Sequence, residues 1–243
     1  MDEKFWEQIN TFGENGEFYK IVKEIKKLPE EKLNIELINA LGRAYMNLGD
    51  YENALDTYLS YIGKNKEDVT NADIWIYSEC GWLCNEVGDY ERGLKYLLEA
   101  EKLGRDDEWV WARIANIYFD LERYEDALKA YNRAYELEGA YKEGKDSLYI
   151  CSIGRTLRRL GRYEEAIEKL LESRRLSLEE GDVVDLEDLE LAYCYAVLGN
   201  KEKAEEYMKL SIDSLGTYAE SEEYLKKQFD EIREMINVLS HPS

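Results

Sequence analysis

The sequence predicts an all-α chain, an α-solenoid of about six helical hairpins plus a C-terminal capping helix. Three observations lead there. A short turn signature recurs with a period in the thirties, the spacing of stacked helical hairpins. Apolar residues keep helical spacing on both sides of each turn. Only two prolines occur, Pro29 and Pro242, so nothing interrupts helices between them.

The turn segments are Gly16-Glu17-Phe18, Gly49-Asp50-Tyr51, Gly88-Asp89-Tyr90, Glu122-Arg123-Tyr124, Gly161-Arg162-Tyr163 and Gly199-Asn200-Lys201. Their first residues are 33, 39, 34, 39 and 38 positions apart. The first copy is weak and rests on Phe5, Ile9, Phe12, Ile21 and Ile25. The second has Ile38, Leu41, Gly42, Tyr45 and Leu48 before its turn, then Ala54, Leu55, Tyr58 and Tyr61 after it. The third repeats this with Tyr77, Cys80, Gly81, Cys84 and Val87, then Leu94, Leu97 and Ala100. Trp111, Ile114, Ala115, Tyr118 and Leu121 open the fourth, and Ala127, Leu128, Tyr131 and Ala134 close it. The fifth runs from Ile150, Ile153, Gly154, Leu157 and Leu160 to Ala166, Ile167, Leu170 and Ser173. The sixth keeps Leu191, Ala192, Tyr195 and Leu198, then Ala204, Met208 and Ser211.

Gly42, Gly81, Gly154, Ala115 and Ala192 leave no bulk where the second helix of a hairpin approaches the first. The turn glycine is expected in the left-handed region, where Glu122 in its place costs about 1 kcal/mol. Asp50, Asp89 and Asn200 are expected to cap the following helix. The tyrosine after the turn is expected to pack into the next hairpin. Beyond Gly216, Leu225, Phe229, Ile232, Ile236 and Leu239 form a single apolar stripe, so a helix from about Tyr218 to Leu239 should cover the last hairpin. The alternative for that helix is docking to another protein.

These residues resemble the tetratricopeptide repeat family, whose pattern is an aromatic, Leu-Gly, Tyr, then Ala and an aromatic. The resemblance covers about residues 16–211 and is strongest in the copies centred on Gly49, Gly88, Tyr124 and Gly161. It implies a right-handed solenoid at 1–216, with a weak first copy at 2–34, strong copies at about 35–178 and a degenerate last copy at 185–215. Residues 217–243 are then the capping helix and tail. The family's proline near the end of each unit is missing from most copies, and the longer steps place extra residues in 64–73, 138–147 and 179–188.

Composition narrows the function. Apolar residues at 44% and charged residues at 35% suffice for a core, which argues against global disorder. The net charge of −21 repels phosphate backbones and anionic membrane surfaces, so neither nucleic acid nor membrane is expected as a partner. No segment is apolar enough to span a bilayer, the N-terminal residues lack a signal-peptide pattern, and the expected location is cytoplasmic. Cys80, Cys84, Cys151 and Cys194 have no disulfide-framework spacing. Cys80 and Cys84 lie four apart on one helix face but occupy packed positions, so they are expected in the core without a metal. The one histidine, His241, stands three residues from the end of the sequence. Nothing points to a catalytic site or a cofactor.

In stacked repeats of the family the first helix of each hairpin faces the concave surface. Register from the turns places Trp6, Asn10, Asn39, Arg43, Trp75, Ser78, Glu79, Trp82 and Asn85 there, followed by Trp109, Arg113, Asn116, Phe119, Arg155, Arg158, Arg159 and Tyr193. The candidate partner-binding residues are Trp75, Trp82, Asn85, Trp109, Arg113, Asn116, Phe119, Arg155, Arg158 and Arg159. Residues 155–175 are the one basic locale, seven bases against four acids. The structural alternative is that the tryptophans pack on preceding hairpins and the arginines pair with glutamates. The Lys/Asn clamp that chaperone-binding members use for C-terminal carboxylates is not matched; the equivalents here are Asn39, Arg43, Glu79, Trp109 and Arg113. The expected function is a scaffold binding a protein or peptide segment, the alternative a sensor whose array compacts around a signalling peptide.

Overall fold

The computed structural model describes residues 3–64, 71–139, 147–215 and 222–240. Among them are thirteen α-helices, one 3-10 turn at Glu30–Lys32 and no strand. The helices are α1 (Glu3–Glu14), α2 (Phe18–Ile25), α3 (Ile35–Asn47), α4 (Tyr51–Lys64), α5 (Asn71–Glu86), α6 (Tyr90–Lys102) and α7 (Glu108–Asp120). They continue with α8 (Tyr124–Gly139), α9 (Ser147–Arg159), α10 (Tyr163–Glu180), α11 (Asp185–Val197), α12 (Lys201–Leu215) and α13 (Glu223–Ser240). Odd and even helices pair as six hairpins, and α13 follows. The chain divides into two compact units, Met1–Asp106 with the first three hairpins and Asp107–Ser243 with the rest.

All six turns close in one way. The residue after the turn position donates its amide to a carbonyl five residues back: Glu17 to Phe12, Asp50 to Tyr45, Asp89 to Cys84, Arg123 to Tyr118, Arg162 to Leu157 and Asn200 to Tyr195, at 2.7 to 3.0 Å. This helix-ending motif requires a left-handed residue between them. Five turns supply glycine, and Glu122 fills the sixth at φ 56°, the one non-glycine at positive φ among the described residues.

Each hairpin is closed by contact where the sequence removes a side chain. A Cβ on Gly42 would lie 2.3 Å from Tyr58 Cζ, and one on Gly81 would lie 2.5 Å from Leu97 Cγ. At Gly154 the corresponding distance, to Leu170 Cγ, is 2.7 Å. The reciprocal Ala54, Ala127, Ala166 and Ala204 are fully buried, as are Ala115 and Ala192.

Three local expectations meet different outcomes. Asp50 Oδ1 accepts from Asn53 N and Asn200 Oδ1 from Lys203 N, as caps should. Asp89 makes no capping bond; its carboxylate lies 3.7 Å from the Arg92 guanidinium instead. Tyr51 packs into the next hairpin, edge-on to Trp82 at 5.6 Å, whereas Tyr124 stays within its own hairpin, against Phe119 at 5.4 Å.

Of the extra residues, 65–70 and 140–146 lie outside the described residues. Those at 179–188 extend α10 to 18 residues and end it on Gly181 in the left-handed region. Helix α13 packs against α11 and α12 and buries Leu225, Phe229, Ile232 and Ile236. A Cβ on the Gly199 turn would come within 3.8 Å of Leu239 Cδ2. The expected start of this helix, near Tyr218, falls outside the described residues. None of the described helices is long and apolar enough to cross a membrane.

Candidate functional site

In the first unit, α5 carries Trp75, Ser78, Glu79, Trp82 and Asn85 at helical spacing. Both tryptophans are half-buried, Trp75 edge-on to Tyr58 at 6.1 Å and Trp82 against Tyr51. They therefore take part in packing α5 onto α4, the structural alternative given for the tryptophans. Glu79 is buried, and Ser78 Oγ, also buried, accepts from Arg105 Nη1 at 2.7 Å. Asn39 and Asn85 are half-buried side chains whose Oδ1 atoms have no hydrogen-bond partner among the described residues. A cleft of ≈ 520 Å³ runs beside α1 and α3, with Ile9, Ile21 and Ala44 below and Asn10, Arg43 and Asn47 at its edge.

In the second unit, Trp109 stands at the start of α7, 60% exposed. Asn116 is exposed and its Oδ1 accepts from Tyr131 Oη at 2.5 Å; Arg113 is half-buried. Phe119 is half-buried, with the Arg155 guanidinium 5.5 Å and the Arg159 guanidinium 5.9 Å from its ring centre. Both cations are drawn to the negative face of the ring.

Arg158 is placed differently from its neighbours. It is 8% exposed and forms an ion pair with Glu190 of α11, itself 6% exposed. Its Nη2 also donates to Glu190 Oε1 at 3.3 Å, and its guanidinium lies 4.5 Å from the Tyr193 ring centre. Arg155 Nε approaches the same carboxylate at 3.4 Å. Arg158 is thus withdrawn from the surface, because a buried guanidinium needs a carboxylate and Glu190 supplies it. Its place among the candidate contact residues is corrected on that ground. Tyr193 is half-buried, and its hydroxyl donates to Glu231 of α13.

Sequence reasoning passed over Leu148 and Leu186. They hold Trp109's register on α9 and α11 and are 64% and 47% exposed. The signal was present, since each is the second residue of its helix. It also missed the buried acids of α11. Glu187 Oε1 accepts from Ser173 and Ser177, and Asp188 accepts from Arg174 Nε at 2.6 Å. Burial raises the Asp188 carboxyl above its ordinary range despite Arg174.

The four cysteines are buried and free. Burial pushes Cys84 up to about 11 and Cys151 and Cys194 to about 12, and Cys80 rises further, so none is a thiolate at neutral pH. The described residues hold no group of three His, Cys, Asp or Glu side chains that could share a metal ion.

Models of the tetratricopeptide repeat match residues 106–179 and 37–70. A curated relative, the peroxisomal targeting signal receptor of Candida glabrata, is 28% identical over 125 residues, which are 51% of this chain and 20% of the receptor. The chain thus spans about a fifth of that relative's length. Solved structures resemble the fold at low identity. MamA from Desulfovibrio magneticus matches with a TM-score of 0.63 at 17% identity, over 74% of this chain and 93% of its own. YrrB, described as a TPR protein with an unusual peptide-binding site, matches with a TM-score of 0.60 at 17% identity, over 88% of this chain and 97% of its own. Repeat models, turn geometry and structural likeness agree, and the chain is a tetratricopeptide-repeat protein.

Proposed function

We propose that this protein is a scaffold that binds a peptide segment of another protein along the first helices of its hairpins. The observation that carries the reading is the second unit's α7, where Trp109 stands exposed and Phe119 holds two arginines in a chain of net charge −21. Packing explains Trp75 and Trp82, but it gives no reason for an indole in water or for cations gathered on that ring. YrrB's peptide-binding site and the curated relative's role as a targeting-signal receptor support the same class of activity. No cofactor enters this reading, and the acidic surface argues against nucleic acid.

The test uses the full chain as bait for photo-crosslinking, with a benzophenone residue in place of Leu148, followed by mass spectrometry of the captured segment. Trp109→Ala should then weaken capture by about 1–3 kcal/mol with the melting temperature unchanged. Capture that survives Trp109→Ala and is lost on removing α13 would move the contact to the C-terminal helix. Compaction on adding the captured segment would identify a sensor.

A further inference from the structure

We propose that Arg155 and Arg159, gathered on the Phe119 ring, form a seat for one carboxylate side chain of a partner peptide that is otherwise apolar. The inference rests on the peptide-binding reading and names the chemistry of its anchor.

Arg159 is the anomaly that points to it. The other arginines of α9, α10 and the turn between them each have a carboxylate: Arg155 and Arg158 share Glu190, Arg162 has Glu165, Arg174 has Asp188 and Arg175 has Glu179. Arg159 is exposed and has none among the described residues, in a chain with 53 acids to 32 bases. Its guanidinium lies against the ring of Phe119. Such a contact holds a guanidinium in place without supplying an acceptor for its N–H donors. Arg155 sits one turn earlier on the same helix face, against the same ring.

Charge selects the ligand. The cluster holds Arg155, Arg158 and Arg159 against Glu190 and Asp120, whose carboxyl burial raises and Arg155 lowers. Three cations against two carboxylates leave one positive charge, which one carboxylate balances. A phosphoryl dianion would leave a surplus negative charge in an already acidic chain. Exposed Trp109 and Leu148 stand at the far ends of the same two helices, about 15 Å from the seat at the helical rise per residue, and suit apolar residues about five positions along an extended peptide from that carboxylate.

The experiment follows the arginine Nε–H signals of the full chain by two-dimensional NMR. They are assigned with Arg155→Lys and Arg159→Lys. The probes are acetyl-Leu-Ala-Ala-Ala-Ala-Glu-Ala-Ala-Ala-Ala-Leu-amide, long enough to reach from the seat to Trp109, its Gln counterpart and inorganic phosphate. The Glu peptide should move both signals and bind about tenfold tighter than the Gln peptide. Phe119→Leu and Arg159→Ala should each remove that preference, and the Arg158 signal should stay still. Equal binding of the two peptides, with the Trp109 indole signal still moving, overturns the carboxylate seat and leaves the peptide groove standing. If neither peptide moves any first-helix signal while the captured segment also fails to, the groove itself is refuted. Tighter binding of phosphate than of the Glu peptide overturns the seat in favour of a phosphoryl site. Signals that shift with protein concentration alone overturn it in favour of a second copy of this chain.

Discussion

Replacing Arg158 with methionine should destabilise the second unit, and replacing Glu190 as well should restore most of what is lost. Arg158 and Glu190 are 8% and 6% exposed, so each charge has little water to fall back on. Removing one member of such a pair costs about 3–5 kcal/mol, mostly from stranding the other. Here the lower figure applies, because Arg155 Nε still stands 3.4 Å from the Glu190 carboxylate after Arg158 is gone. About 3 kcal/mol corresponds to a fall in Tm of roughly 10 °C for a chain of this size. Arg158→Met with Glu190→Met removes both charges, leaves Arg155 free to reach solvent, and should lie within about 1 kcal/mol of the parent. Urea unfolding followed by far-ultraviolet circular dichroism, run as a double-mutant cycle at constant slope, measures the coupling. Single substitutions costing under about 1 kcal/mol, or a double variant that simply sums its parts, would refute the argument.

Glu122→Gly should raise stability by about 1 kcal/mol, since φ 56° suits glycine and the Glu122 side chain is exposed; slower hydrogen exchange at the Arg123 amide is the local readout. Gly42→Ala forces a Cβ to 2.3 Å from Tyr58 and should cost about 1–3 kcal/mol by denaturant titration. Ending the chain before α13 uncovers α11 and α12, so a lower melting temperature or aggregation in light scattering is expected; an unchanged monomer would favour a docking role for the helix. Ellman's reagent at pH 8 should find no reactive thiol in the folded chain and four after denaturation, because burial raises all four cysteines.

What the sequence disclosed was whatever a local backbone or steric demand dictates. A left-handed turn asks for glycine and a close crossing asks for the loss of a side chain, so Gly49 and Gly42 could be read directly. Asp89 could not, because capping depends on which neighbour wins its carboxylate, and Arg92 does. Register placed Trp82 and Phe119 on first helices but could not say that Tyr51 would cover one and arginines the other. Arg158 looked like its neighbours in the run and proved buried, because its environment is set by Glu190, 32 residues away. Long-range charge pairing has no period to betray it.

The acids buried on α11 have a consequence for how such a chain can change over generations. Repeats that touch only through interchangeable apolar faces can be duplicated, deleted or reshuffled, since any neighbour will do. Glu187, Asp188 and Glu190 need hydroxyls and guanidiniums at particular places on α9 and α10. A sixth hairpin moved elsewhere would carry buried charge to a face that cannot answer it. The fifth and sixth hairpins are thereby bound to be inherited as a pair.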